Sequence, residues 1–291
     1  MGEFSYISEK IKNAEFKKEP FKHLLIENVL KEEHLEIILA DKQIHFEPVR
    51  DTEALIDVLQ KKDYVVQNFP GCTTDLEEYL HHYNNNSFPY GRKGTPIESY
   101  GVTFRLSKIQ NNLIRELTDY LNGQEFKQTL EEKFEIVKET RIITAIQKNL
   151  SHYEISPHPD IREKQLTYLL NINKNSSIDE EQIHTNLLKF KPEWEFVKDY
   201  WNENHQKNTT WVPWDWCETK VVTNKNNSIV LFKPSVDTLH AVRMIYDHTK
   251  FQRTQLYGNL MGLDNIVEPM NYRDLIEFKE VGKETQKLKI A

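Results

Sequence analysis

The order of apolar and polar positions divides this chain near residue 140. Before that point apolar residues recur mostly at helical spacing; after it, short β-branched runs alternate with polar turns. Residues 1–20 are charged and lysine-rich and read as a loose arm or a surface helix. His23-Leu24-Leu25-Ile26-Glu27-Asn28 reads as a short strand leading into a helix over 31–40, with Leu35, Ile38 and Leu39 on one stripe. Helical patterns also cover 52–62 and 73–83. The second has Asp75, Glu77 and Glu78 early, where a helix N-terminus favours carboxylates. Residues 84–96 are rich in Asn, Gly and Pro and read as a long loop. A strand is expected at 100–106, and helices at 109–120 and 124–134. Strands then follow at 141–147, 152–156, 165–172, 219–222, 228–233, 240–245 and 254–260. Between them lies 174–216, which opens polar and carries Trp194, Trp201, Trp211, Trp214 and Trp216; it reads as an insertion packing onto the strands. Strands covered on one side by helices make an α+β arrangement.

Composition narrows the classes. The 291 residues are 38% hydrophobic and 11% aromatic, enough to bury a core and unlike a disordered chain. A formal net charge of −7 gives no general attraction to nucleic acid or anionic lipid, so neither is expected as a partner. Cys72 and Cys217 are too few for a disulfide framework and lack zinc-finger spacing, which points to a reducing compartment. The first twenty residues hold no apolar run of signal-peptide length, and no run approaches a membrane span. A soluble, cytoplasmic protein is expected.

The chemistry concentrates around Ile155-Ser156-Pro157-His158-Pro159-Asp160. On extended backbone, His158 and Asp160 share a face because alternate side chains do; on a helix they would diverge. Pro157 and Pro159 favour that extended geometry. Alone, the triplet is equally a strand-end histidine with a capping aspartate. Its weight comes from His240 and Arg253 downstream, each beside an expected strand. Two imidazoles and one carboxylate on one face of an octahedral Fe(II) leave positions for a bidentate 2-oxo acid and for O2. Arginine suits the distal carboxylate of that acid through a bidentate contact. Arg243 alternates out of phase with His240 and should face the other way.

These motifs resemble those of the Fe(II)/2-oxoglutarate-dependent dioxygenases, in their prolyl-4-hydroxylase-like branch. The resemblance covers about residues 141–260, with an echo at 21–40: ISPHPD followed by QLTYLLNIN, then SIVLFKPSVDTLHAV, then FQRTQLYGNL. It implies His158, Asp160 and His240 as iron ligands and Arg253 as the partner of 2-oxoglutarate, with Tyr153 and Thr167 in supporting or co-substrate contacts. It implies a double-stranded β-helix, a distorted jelly roll, in a single domain over 1–291. There 1–140 would be helical support and lid, 141–260 the core with its insertion at 174–216, and 261–291 a tail. The carboxylate at Asp160, where halogenating relatives carry a small residue, implies hydroxylation with release of succinate and CO2. Trp214-Asp215-Trp216-Cys217-Glu218-Thr219 stands where the family commonly has a glycine-rich segment.

The expected function is hydroxylation of a small molecule or amino-acid derivative, with a protein or peptide side chain as the alternative substrate. A non-catalytic jelly-roll binding protein is the rival from another class. Arg92, Lys93, Arg105 and Arg162 are candidates for an anionic group on the substrate.

Overall fold

The structure, a computed structural model, describes residues 2–67, 75–88, 99–173 and 183–263. Arg92, Lys93, Cys72, the start of the expected insertion and the tail beyond Leu263 lie outside the described residues. Along the chain run α1 (Ser5–Asn13), β1 (His23–Glu27), α2 (Glu32–Ala40), α3 (Thr52–Lys61), β2 (Tyr64–Val66) and α4 (Leu76–Asn85). Next come β3 (Thr103–Leu106), α5 (Asn112–Leu121), α6 (Gln124–Lys133), β4 (Thr140–Asn149), β5 (Glu154–His158) and β6 (Lys164–Asn171). The last are β7 (Asn186–Phe190), α7 (Phe196–Glu203), β8 (Cys217–Val222), β9 (Ser228–Phe232), β10 (His240–Arg243) and β11 (Thr254–Gly262).

Strands β4 to β11 pair as a rolled hairpin: β4 with β11, β5 with β10, β6 with β9 and β7 with β8, all antiparallel. Rolling that hairpin produces two facing sheets, the double-stranded β-helix or jelly roll. The larger sheet has the order β1-β9-β6-β11-β4-β3-β2 and the smaller β5-β10-β7-β8.

Alternation along each strand sorts side chains into layers. On β6, Leu166, Tyr168 and Leu170 face outward into a core shared with helices α1, α3, α5 and α6. Their alternates Thr167, Leu169 and Asn171 face the interior, where Leu169 meets Leu187, Val230, Phe232 and Phe21. The outer face of the smaller sheet offers Leu188, Phe190 and Ala241 to Val197, Trp201 and Val212, with Trp194, Trp214 and Trp216 at the margin. The tryptophan-rich segment therefore covers this sheet, as expected of it.

One irregularity decides which way the functional side chains point. Counting by twos from His158 would place Glu154 on the same face. The register of β5 against β10 runs from His158 opposite His240 to Ile155 opposite Val242, so β5 carries one extra residue there. That bulge, at Ser156-Pro157, reverses the phase. Glu154 consequently points outward, fully buried. It accepts two bonds from Arg243, each at 2.7 Å, and one from Trp214 Nε1 at 2.8 Å. Arg243 faces away from His240, as its phase predicts, and helps to clamp the tryptophan segment onto the sheet.

Elsewhere the fold departs from the expected elements. The N-terminal arm is helix α1, the helical one of its two expected readings, but it is packed in rather than loose: Phe4, Ile7 and Ile11 are buried, because three apolar residues at helical spacing outweigh the lysines around them. The short strand β2 was not evident in the pattern. The segment taken as an insertion from 174 contains β7, one of the eight strands of the roll; the added piece between β7 and β8 is 191–216. β7 has only five residues, Asn-Leu-Leu-Lys-Phe, too few to announce a period beside so many polar and aromatic neighbours.

Lys148 lies wholly buried on the helix-covered face of β4. Its ammonium donates to the Ile44 carbonyl at 2.6 Å and sits 4.9 Å from the Phe46 ring centroid. Burial pulls its pKa down to about 7. Unfolded, the same lysine titrates at about 10.4. Between those values the unfolded chain holds more protons, so this group makes stability rise with pH. Urea unfolding of wild type and Lys148→Met at pH 7 and pH 8.5 is expected to show a steeper rise for wild type; equal slopes would mean that Lys148 keeps its ordinary pKa.

Candidate metal centre

The end of β5, the start of β10 and the turn after β5 bring three side chains to one point. One ligand atom from each of His158, Asp160 and His240 lies within 4.8 Å of the others. His158 stands opposite His240 in the register, which sets the two imidazoles 4.4 Å apart between centroids. Asp160 lies in the turn beyond β5, with its carboxylate Oδ2 3.8 Å from His240 Nε2. The tryptophan segment pins this turn from outside. Val212 donates to the Pro157 carbonyl at 2.8 Å, and Thr209 Oγ1 to the Asp160 carbonyl at 3.2 Å.

Hydrogen bonds fix both imidazoles in one tautomer. His158 Nδ1 is 2.7 Å from the Ser156 carbonyl and His240 Nδ1 is 3.1 Å from the Thr238 carbonyl. A carbonyl only accepts, so each Nδ1 carries the proton and each Nε2 keeps a lone pair. Burial, with a contribution from His240, lowers His158 to about 3; burial lowers His240 as well. Both rings are neutral at neutral pH, the form that binds metal. Burial alone would raise Asp160, but Lys164 and the two histidines outweigh it and hold the carboxyl well below its usual range.

The carboxylate is gripped from behind. Lys164 pairs with Asp160 Oδ1 and is 2.9 Å from the Tyr257 hydroxyl. Thr167 donates to Oδ2 at 2.5 Å and lies 3.0 Å from the Asn259 amide. Lys164, Tyr257 and Asn259 had no assigned role in the sequence. The signal was available for two of them, since Tyr257 and Asn259 alternate in phase with Arg253 on an expected strand.

Arg253 sits deeper in the same interior. It is buried, donates from Nη1 to Asn149 Oδ1 at 3.3 Å and from Nη2 to Thr185 Oγ1 at 3.2 Å. Its Nε has no partner, and no carboxylate bonds to it among the described residues. Burial brings it down to about 10, which leaves it charged at neutral pH. Leu187 stands opposite His240, and Thr185 lies two residues away along that line, about 7 Å deeper. Extended 2-oxoglutarate is of comparable length. A buried guanidinium without a counter-charge is costly, and an anion reaching it from the metal end would relieve that cost.

The remaining sequence candidates fall in different places. Tyr153 is buried with Val242, Met244 and Tyr246, next to Arg253, whose charge it feels. Thr167 lies against the Asp160 carboxylate, to which its hydroxyl donates. Arg105 lies 5.6 Å from the Tyr257 ring with its Nε buried and unpartnered. Arg162 borders a cavity beside Asp160, but its guanidinium donates to the Lys207 and Trp201 carbonyls, each at 2.6 Å. Its neighbour turn ends β5, so it is not carried onward on a strand. No helix among the described residues is long and apolar enough to cross a membrane.

No family model matches the sequence, and no curated protein matches it. Solved structures do. A Pseudomonas putida prolyl-4-hydroxylase is 11% identical, with 72% of this chain and 98% of that one covered and a TM-score of 0.36. A Trichoplax adhaerens prolyl hydroxylase, solved with a hypoxia inducible factor peptide, is 10% identical, with 89% and 91% covered and a TM-score of 0.41. The non-heme alpha-ketoglutarate-dependent carbocyclase SnoK is 12% identical, with 83% and 80% covered and a TM-score of 0.38. Likeness at this level leaves the chain's own geometry as the ground for a functional reading.

If Thr167 orients Asp160 for metal, Thr167→Val weakens binding of Mn(II) about tenfold while the protein stays folded. Calorimetric titration checks this; an unchanged affinity would mean that the hydroxyl has no part in holding the carboxylate.

Proposed function

We propose that this protein belongs to the Fe(II)/2-oxoglutarate-dependent dioxygenases of the prolyl-4-hydroxylase-like branch. In this reading it hydroxylates an unactivated C–H bond of a small molecule or amino-acid derivative. The observation that carries the reading is one interior that holds both a three-residue donor set and, deeper, a buried arginine with an unpartnered Nε.

His158, Asp160 and His240 would hold the metal, and their two nitrogens and one oxygen suit Fe(II). When bound with 2-oxoglutarate and O2, the iron supplies the oxidising power, and the co-substrate leaves as succinate and CO2. The chain does the rest. Arg253 receives the distal carboxylate, with Asn149 and Thr185 holding its guanidinium in place. Thr167 and Lys164 keep Asp160 ionised and aimed. Leu169, Val230 and Phe232 form an apolar wall that excludes water. The helices brace the larger sheet and the tryptophan segment the smaller, so the chain works as one oxygenase unit.

Anaerobically purified protein given Fe(II), 2-oxoglutarate and then O2 is expected to release succinate. Arg253→Leu lowers the rate at fixed 2-oxoglutarate at least tenfold and recovers part of it at high 2-oxoglutarate, because it removes a binding contact. His240→Ala abolishes it. Succinate release that is unchanged in Arg253→Leu would remove Arg253 from the site.

A further inference from the structure

The inner face of the larger sheet is closed at one end and open at the other. β7 and β8 cover β6 and β9, where Leu187 and Val221 meet Leu169, Val230 and Phe232. β5, with His158 at its end, is the last strand of the smaller sheet. The larger sheet continues past it through β4 and β3 to β2. The pairing registers fix what this shelf presents. Asn149 bonds to Arg253 and stands opposite Thr103. The next row is Gln255, Gln147, Arg105 and Val65. Tyr257 with Ala145 follows, then Asn259 with Ile143. Asn259 accepts from Thr167, whose hydroxyl also lies against Asp160. One sheet face thus runs from the row of Arg253 to the row of the donor set. Ile143 and Val65 are 41% and 49% exposed on it, whereas Tyr64, Phe104 and Ile146 on the other face of the same strands are buried under the helices. Arg105, Gln147, Ala145 and Tyr257 are half-buried.

We infer that the substrate is a small carboxylic acid with an apolar body, whose carboxylate pairs with Arg105 while its body lies on Tyr257, Ala145 and Ile143. That its carbon is then oxidised rests on the oxygenase reading; the carboxylate site does not. Arg105 is the specificity-determining residue. Its guanidinium lies 5.6 Å from the Tyr257 ring centroid, and its buried Nε has no partner. A guanidinium with Nε and one Nη to offer matches the two oxygens of a planar carboxylate. A single cation balances a carboxylate and would leave a dianionic phosphate half uncompensated. Arg253 is a separate site, held by Asn149 and Thr185 one row deeper, so two acids can bind at once. The rows of Arg105 and Asn259 are four residues apart on β4, about 13 Å, and the arginine reaches back to the Tyr257 row between them. A molecule of amino-acid size bridges what remains. Exposed apolar side chains continuous with a reaction centre suit the body of such a molecule.

Calorimetric titration of the full chain, with Mn(II) in place of iron and 2-oxoglutarate in excess, reads this site without oxygen chemistry. The probes are hexanoate, phenylacetate and N-acetyl-L-leucine, each beside its carboxamide. Wild type is expected to bind at least one acid about tenfold or more tightly than its amide. Arg105→Gln is expected to remove that preference. So is Gln147→Glu, which sets a carboxylate directly opposite Arg105 and supplies the counter-charge from within the sheet. Both positions are half-buried, and a Mn(II) affinity equal to that of wild type checks the fold of each variant. Failure of every acid to bind, equal binding of acid and amide by wild type, or an undiminished preference in the two variants would overturn the inference. Protein that prefers the acid but releases no succinate with Fe(II), 2-oxoglutarate and O2 keeps the carboxylate site and loses the oxygenase reading. Protein that releases succinate without that preference loses only the site.

Discussion

A buried carboxylate is the constraint around which this interior is built. Asp160 is almost inaccessible, and a lone charge in such a place would be neutralised or expelled. It stays ionised because Lys164 and Thr167 hold it from behind while two imidazoles stand in front. That arrangement depends on backbone. His158 and His240 face one another because β5 and β10 pair there, and the bulge at Ser156-Pro157 turns His158 inward while Glu154 goes out. Without the extra residue the His158–His240 pair and the Glu154–Arg243 clamp would compete for one face.

The same bulge links the site to its outer cover. Glu154, Arg243 and Trp214 tie the tryptophan segment to the smaller sheet, and Thr209 and Val212 then run beside Pro157–Asp160. A segment that reads in isolation as an addition thus supports the strand end that carries two of the three donor residues. On the opposite side, Tyr168 illustrates how closely the larger sheet is fitted. A Cβ at Gly258 would lie 2.1 Å from its ring, so only glycine suits that position on β11.

Much of this was legible in the chain. His158 with Asp160, then His240, then Arg253 stand out because strand alternation and ligand chemistry make separate demands that the same residues meet. The layers of β6 were not legible, since Leu169 is as apolar as Leu166 and Leu170 and both faces of the strand are buried. What stayed hidden was non-local. The bulge shows only once β5 is set against β10. The short strand β7 was obscured by its neighbours, and Lys164 acquires a role only because the turn after β5 folds Asp160 back over it.

The central claim is that one interior binds Fe(II) through His158, Asp160 and His240 and 2-oxoglutarate through Arg253. It is tested most directly by titrating 2-oxoglutarate into the Fe(II) protein under strict exclusion of oxygen and following the visible spectrum. A weak metal-to-ligand charge-transfer band that saturates with 2-oxoglutarate is predicted for wild type, absent in His240→Ala and shifted to higher 2-oxoglutarate in Arg253→Leu. No band in wild-type protein that demonstrably holds Fe(II) would contradict the account.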